Sequence, residues 1–182
     1  VNTNPFKHVK TLKEKPKKER YYFKENDLKS YFKLFPQYTD IIDILLGTGL
    51  RFTDAYQLCP NNVQNGYLTL KISKTQDYLK VPLSRSVLAV LESPSNNEYL
   101  FPELQSETQR IKFRKAIQSI FEPSFVRDNN INLHTFRHTY AHHMLNKGVP
   151  KEVLQTLLGH RSIKTTEIYA NWVRKEELEK WV

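Results

Sequence analysis

The sequence has little cysteine and no long hydrophobic run. Cys59 is the single cysteine among 182 residues, which excludes an internal disulfide framework and suits a reducing cytosol. No apolar run approaches the roughly 20 residues that cross a bilayer, and the first residues lack a signal-peptide pattern. We therefore expect a soluble, cytoplasmic protein that does not bind a membrane.

Acidic residues are also in short supply. Asp and Glu number 19 against 28 Lys and Arg, which gives a formal net charge of +9. Such an excess favours a polyanionic partner, with nucleic acid as the default, although a solvated basic surface is the alternative. Residues 1–20 hold seven basic and two acidic residues. This composition predicts a basic arm or interdomain linker ahead of a globular domain over residues 21–182.

Hydrophobic periodicity predicts a mainly α domain with one small antiparallel β-sheet, an α+β fold. Two β-rich runs joined by a short turn indicate a hairpin, residues 98–102 a further short strand and residues 122–132 a polar loop. Helices are expected over residues 21–35, 38–49, 52–58, 84–93, 106–121, 134–147 and 150–158, with two further short helices over 162–172 and 174–182. Ser106 with Gln109 predicts a capping box.

The helix predicted over residues 134–147 carries an unusual set of polar side chains. His134 and Arg137 are three positions apart, so they project from the same face about one turn apart. Arginine supplies a fixed charge and a fork of donors, and histidine can move a proton near neutral pH. Such a pair is unfavourable in a hydrophobic core but well suited to binding a phosphate group.

A metal site is the competing interpretation, because His134, His138 and His142 recur at four-residue spacing. The zinc-protease helix, however, requires Glu beside its first His, where this chain has Thr. No Asp, Glu or Cys occurs between Leu133 and Lys151 to complete a ligand set. We therefore predict neither a metal nor a cofactor.

The stretch "LHTFRHTYAHHMLNKGVPKEVLQTLLGHRSIKTTEIYA" resembles the C-terminal signature of the tyrosine recombinases, the phage-integrase family. That signature is His-x-x-Arg, then Leu-Gly-His, then a tyrosine nine residues later. The corresponding residues here are His134, Arg137, His160 and Tyr169.

Two upstream stretches are similar to further parts of the family pattern. "LLGTGLRFTDAYQL" resembles the box that carries the first arginine, here Arg51, with Asp54 at the acidic position. "ISKTQDYLKVPLS" is similar to the hairpin that carries the lysine, here Lys74, with Lys71 and Lys80 as competitors. The resemblance runs in family order from about residue 23 to residue 172.

The resemblance implies the tyrosine-recombinase catalytic-domain fold and a specific reaction. Tyr169 would attack a DNA phosphodiester, leaving a 3′-phosphotyrosyl link and a free 5′-hydroxyl, before religation to a partner strand. Arg51, Arg137 and His160 would stabilise the phosphate oxygens, without need of a divalent metal. Lys74 would act as the general acid and His134 as the acceptor of the Tyr169 proton, while Asp54 would orient its neighbours.

The implied partner is double-stranded DNA. Four protomers of a full-length protein would act on two sites, whereas this piece is expected to be monomeric in solution. We expect the family's N-terminal core-binding domain to be absent from this chain, which begins at Val1 and is expected to be a piece of a longer polypeptide or its processed form. A bacterial, phage or mobile-element origin and a nucleoid-associated location follow from the same resemblance.

Two other functions are compatible with parts of the pattern. A type I topoisomerase uses a similar cluster but works as a monomer without a partner site. A non-catalytic DNA-binding module would keep the fold without the activity, although it would need no nucleophile or proton relay. The residues leave open the DNA site, the biological role, and whether Tyr169 acts in its own active site or a neighbour's.

Overall fold

The computed structural model describes residues 20–92 and 97–179. They form nine α-helices and one three-stranded sheet. In chain order the elements are α1 (Glu25–Leu34), α2 (Thr39–Thr48), α3 (Phe52–Ala55), β1 (Val63–Gln64), β2 (Tyr67–Lys71), β3 (Tyr78–Pro82), α4 (Arg85–Leu91), α5 (Glu107–Gln118), α6 (Pro123–Asn129), α7 (Thr135–Asn146), α8 (Lys151–Leu158) and α9 (Ile163–Glu179). Of the predicted basic arm, only Arg20 lies within the described residues.

The sheet is antiparallel, with β2 between β1 and β3. Leu68 pairs with Val81 and Leu70 with Leu79, so the buried side chains of both long strands share one face. Residues 72–77, here called the hairpin tip, join β2 to β3. The tip is closed by the Ile72 amide, which donates to the Asp77 carbonyl at 2.9 Å.

Helix α7 lies at the centre of the molecule and packs against α2, α8 and α9. Its residues from Thr135 to His142 are all buried, and five of these eight are polar. Buried polar side chains require partners; Thr139, for example, donates to the Thr135 carbonyl and accepts from the Phe23 amide, both at 2.9 Å. The centre of the fold is therefore polar along one helix.

The predicted fold class is confirmed, but the C-terminal prediction is wrong in detail. The two short helices expected over residues 162–172 and 174–182 are one helix, α9, as far as Glu179. No glycine or proline separates the two segments, so nothing in the chain ends the first helix. Tyr169 consequently lies inside one continuous helix and not near the end of a short one.

Three smaller predictions also fail. Residues 98–102 form no strand, and the Leu100 amide instead donates to the Leu58 carbonyl at 2.8 Å. The predicted polar loop over residues 122–132 contains α6, which starts with Pro123 at its first turn. Ser106 precedes α5 as expected, but its side chain makes no capping hydrogen bond.

Among the described residues, none of the helices combines the length and the apolar character that crossing a bilayer requires.

Candidate active site

A single cleft brings together all six residues that the sequence predicted for the site. Its lining includes Arg51, Lys74, His134, Arg137, His160 and Tyr169. They come from four separated parts of the chain: the start of α3, the hairpin tip, α7, and the α8–α9 region. The tertiary fold therefore brings these residues together from positions that are far apart in the sequence.

Arg137 forms the floor of the cleft and is only 2% exposed. Its Nη1 donates to the Gly49 carbonyl at 2.9 Å and its Nη2 to the Leu158 carbonyl at 2.7 Å. These carbonyls lie at the C-terminal ends of α2 and α8, where the helix dipole is negative and favours a cation. The fold thus holds the guanidinium in one fixed orientation.

The charge of Arg137 is not neutralised by an ion pair among the described residues, and its buried Nε has no hydrogen-bond partner there. Burial, with a smaller effect from the nearby Arg51, lowers the pKa of Arg137 to about 10. The side chain therefore stays protonated at neutral pH. A buried cation with an unused donor is a site prepared for an anion.

Arg51 and Lys74 are positioned through one carboxylate. Asp54 lies 3.9 Å from the Arg51 guanidinium, and its other oxygen accepts hydrogen bonds from the Ser73 amide at 3.0 Å and the Ser73 hydroxyl. Since Lys74 follows Ser73, Asp54 connects the first arginine to the hairpin tip. Lys74 lines the cleft, whereas Lys71 lies in β2 and is absent from the lining.

A second contact connects the hairpin tip to the loop before α9. The Arg161 guanidinium binds both carboxylate oxygens of Asp77, at 2.9 and 3.1 Å, and donates to the Thr75 carbonyl at 2.7 Å. Arg161 follows His160 directly. The contact therefore connects the segments that carry Lys74 and His160, both of which line the cleft.

His160 is oriented by Thr166, whose hydroxyl lies 2.8 Å from its Nδ1. The other ring nitrogen, Nε2, is therefore the one left to serve a ligand. The His160 ring stacks on that of Tyr169, with centroids 6.5 Å apart and planes 8° from parallel. This pairing places the histidine and the tyrosine side by side.

Tyr169 is only 4% exposed, and its hydroxyl lies 2.9 Å from Nδ1 of His138. No role in catalysis is predicted for His138 from the sequence. The spacing alone could have indicated that His138 lies near the site, because His138 follows His134 by four residues and therefore shares a helical face with it. Arg20 and Arg161 are further cleft residues that the sequence analysis did not select.

Burial sets the protonation states in the cleft. Burial first, and then the neighbouring cations and histidines, lower the pKa of His134 to about 4 and those of His138 and His160 to about 3. All three imidazoles are consequently neutral at pH 7. Burial raises the pKa of Tyr169, an effect that Arg137, Arg20 and Arg51 partly oppose. Without DNA the tyrosine is a neutral phenol.

The metal interpretation finds no support within the described residues, where no three His, Cys, Asp or Glu side chains are grouped to hold an ion. His138 contacts Tyr169, and His142 contacts the Asn146 side chain at 3.1 Å and stacks on Tyr22. His138 and His142 therefore face different partners.

The sequence profile of the phage integrase family matches residues 13–176. Tyrosine recombinase XerC of Erythrobacter litoralis is 30% identical over 137 residues, which cover 72% of this chain and 45% of that protein. Tyrosine recombinase XerD of Rhizobium meliloti is 30% identical over 143 residues, covering 72% and 46%. The chain thus spans about half the length of these relatives.

A solved structure shows the same fold. The catalytic domain of bacteriophage HP1 integrase superposes with a TM-score of 0.65 at 25% identity, covering 84% of this chain and 88% of that one.

Proposed function

Because this chain belongs to the phage integrase family, we propose that it is the catalytic domain of a site-specific tyrosine recombinase that breaks and rejoins DNA. One observation carries the proposal. The buried, unneutralised guanidinium of Arg137 shares a cleft with a second arginine, a lysine, two histidines and Tyr169. This arrangement suits a phosphodiester next to a nucleophile.

The two arginines would bind the non-bridging oxygens of the scissile phosphate. Negative charge grows on those oxygens as phosphorus becomes five-coordinate, so preorganised donors lower the barrier. Arg137 is already fixed by two helix ends, and Arg51 by Asp54. His160, with Nδ1 engaged by Thr166, would donate a further hydrogen bond from Nε2.

In the proposed reaction the Tyr169 oxygen forms a bond to phosphorus while the bond from phosphorus to the 5′-oxygen breaks. The phenolic proton passes to His134, which is neutral at pH 7 and can accept it. Lys74 gives a proton to the departing 5′-oxygen, which is far more basic than a phenolate. The reverse sequence of proton transfers joins the intermediate to a new 5′-hydroxyl.

Tyrosine suits this chemistry because its reference pKa of about 10 makes the phenolate both formable and expellable. The phosphotyrosyl ester retains the energy of the broken bond. Religation therefore needs neither ATP nor a cofactor.

The assembly and its setting are part of the same proposal. Residues 1–20 would link this domain to a core-binding domain, and four full-length protomers would act on two sites in double-stranded DNA. The single domain would be a monomer that binds weakly and salt-sensitively. A location on the bacterial nucleoid would follow from DNA as the substrate.

The test is covalent trapping on a nicked duplex at low salt, using DNA that flanks the native gene. We expect wild type to form an adduct that resists denaturant and Tyr169→Phe to form none. Tyr140→Phe is the matched control, because Tyr140 belongs to the same buried cluster as Tyr169 but does not line the cleft. An adduct that survives Tyr169→Phe would contradict the assignment of the nucleophile.

A second assay separates recombination from nicking and closing. Two labelled duplexes that both carry the site should exchange strands if the protein is a recombinase. Adduct formation and plasmid relaxation without any exchange by the full-length protein would indicate a topoisomerase-like enzyme. DNA binding with no adduct would indicate a non-catalytic module.

A further inference from the structure

The hydroxyl of Tyr169 contacts a histidine other than the one to which the proposed reaction assigns its proton. His138 Nδ1 lies 2.9 Å from the phenolic oxygen, with ring centroids 5.6 Å apart. His138 is only 6% exposed, so water does not compete freely for this contact. Its role depends on which ring nitrogen carries the proton.

The position of Arg20 decides the tautomer. The Arg20 Nη1 lies 3.4 Å from Nε2 of His138. A guanidinium can only donate hydrogen bonds, so Nε2 must be the acceptor in this contact. A neutral imidazole then carries its proton on Nδ1 and donates it to the Tyr169 oxygen.

A donor and an acceptor at this position have opposite effects on the tyrosine. A hydrogen bond donated to the phenolic oxygen stabilises the phenolate, whereas one accepted from the hydroxyl stabilises the neutral phenol. The first arrangement activates the nucleophile and the second restrains it. The tautomer with the proton on Nε2 would leave Nδ1 as an acceptor, and a hydrogen bond donated by Arg20 to Nε2 disfavours that tautomer.

We propose that Arg20 and His138 form a positioning pair, in which Arg20 fixes the histidine tautomer so that Nδ1–H donates to Tyr169 and stabilises its phenolate. This inference rests on the proposed function, in which Tyr169 is the nucleophile. It leaves His134 as the proton acceptor, because the Nδ1 of His138 already carries a proton.

The two contacts of His138 differ in exposure. Arg20 is exposed, while His138 and Tyr169 are buried.

The test uses 3-fluorotyrosine at position 169 of the full chain, titrated through its ¹⁹F resonance. We expect Arg20→Gln to lower the acid dissociation constant of this phenol about tenfold or more, the usual effect of a lost hydrogen bond to a charged group. Arg161→Gln is the matched control, because it removes a cleft cation whose hydrogen bonds go to the hairpin tip and not to His138. Arg161→Gln should change the acid dissociation constant of the phenol less than Arg20→Gln does.

Other groups also affect the acidity of the Tyr169 phenol, and their effects must be separated from that of Arg20 and His138. Arg51 and Arg137 act on it through charge, and the His160 ring stacks against it. A double-mutant cycle isolates the pair, since Arg20→Gln in a His138→Leu background can act only through charge. We expect the Arg20 effect to shrink in that background, and His138→Asn, which restores an N–H donor, to recover part of the loss.

Two results would overturn the inference. Additive effects of Arg20→Gln and His138→Leu would mean that Arg20 acts as a charge alone. A rise in the dissociation constant in His138→Leu would identify His138 as an acceptor from the neutral phenol. If His138→Leu fails to fold, the exposed Arg20 still allows the comparison with Arg161→Gln. The titration requires no catalysis, so its failure is distinguishable from failure of the adduct assay.

Discussion

At the scale of single residues, Arg137 has both a structural and a binding role. It joins the C-terminal ends of α2 and α8 through the carbonyls of Gly49 and Leu158, and it presents its remaining donors to the cleft. Lysine keeps the charge but lacks the planar fork that serves several acceptors in fixed directions. A conservative substitution should therefore separate the two tasks.

We expect Arg137→Lys to slow DNA cleavage about 10²–10³-fold, as loss of a transition-state donor does. It should also lower the free energy of unfolding by about 1–3 kcal/mol, because a buried carbonyl loses its partner. Single-turnover cleavage and urea unfolding measure the two effects. Arg110→Lys is the control, since Arg110 also donates to two carbonyls, at 2.9 and 2.7 Å, but lies outside the cleft. Equal loss of cleavage in both variants would contradict the phosphate role.

The buried histidines predict a pH dependence of stability. His134, His138 and His160 have pKa values lowered to about 4, 3 and 3 in the fold, against a usual value near 6.5. Below pH 6.5 the unfolded chain takes up protons that the folded protein does not, so folding stability falls until the folded values are reached. Above pH 6.5 these groups contribute no slope.

We therefore expect the free energy of unfolding to decline between about pH 6.5 and pH 4, by up to roughly 1.4 kcal/mol per pH unit for each histidine involved. Urea unfolding at a series of pH values measures it. The variant His138→Asn should show a shallower decline than wild type. A stability that stays flat from pH 7 to pH 4.5 would contradict the buried, neutral state of these side chains.

At the scale of elements, two helices end in the same way beside the cleft. Gly49 and Gly159 have positive φ values of 65° and 60°, and both helix ends supply a carbonyl to Arg137. A Cβ on Gly159 would lie 2.6 Å from Cδ1 of Ile72, which is in the hairpin tip. Glycine is favoured here both by the left-handed backbone and by the close Ile72 side chain.

We expect Gly159→Ala to destabilise the fold by about 1–3 kcal/mol and to reduce cleavage, because it disturbs the helix end that orients Arg137. Gly148→Ala is the control, since Gly148 also has a positive φ, of 81°, but has nothing within 4 Å of the added carbon. It should cost only the backbone strain and leave cleavage unchanged. Thermal unfolding and single-turnover cleavage measure both variants; equal behaviour of the two would contradict the packing argument.

The contact between Arg161 and Asp77 gives a further prediction about the hairpin tip. Both side chains are largely exposed, so Asp77→Asn should change the free energy of unfolding very little. Cleavage should nevertheless slow, because the tip that carries Lys74 is then held less firmly against the loop of His160. Glu25→Gln, which breaks an exposed pair with Lys29 on α1, is the control and should not affect cleavage. Unaltered cleavage in Asp77→Asn would show that the contact does not position Lys74.

Much of the element order could be predicted from the sequence, and the failures have physical causes. The elements that surround the site could be predicted from three signals: helical spacing, the glycines that end α2 and α8, and the two β-rich runs. Helix α6 was missed although Pro123 and Asn130, its left-handed C-cap, are ordinary boundary signals. The residues of the site were predicted from the resemblance to the tyrosine recombinases, whose motifs they match in spacing and order. The contact of His138 with Tyr169 was not, because it depends on how α7 packs against α9.

At the scale of the whole molecule, charge and length bear on how the domain meets DNA. Residues 1–20 carry a net charge of +5, out of +9 for the chain. The chain spans about half the length of its relatives, so in the proposed assembly other segments share the binding. Non-specific affinity for DNA should then depend strongly on the basic arm.

We expect deletion of residues 1–19 to weaken DNA binding and to flatten its salt dependence. The slope of log K against log salt should fall by about 0.9 for each lysine that contacts a phosphate. Fluorescence anisotropy at several salt concentrations measures it. Arg20 is retained in this deletion, so the positioning of His138 is not removed with the arm. An unchanged slope would contradict the role of the arm in DNA binding.

The proposed reaction requires that Tyr169 bond to a scissile phosphate held by residues from four parts of the chain. Mass spectrometry of the protease-digested adduct identifies both the modified residue and the polarity of the link. We predict a 3′-phosphonucleotide on the peptide that contains Tyr169, with a free 5′-hydroxyl on the released strand. A nucleotide attached to any other residue, or a 5′-phosphotyrosyl link, would contradict the proposed role of Tyr169.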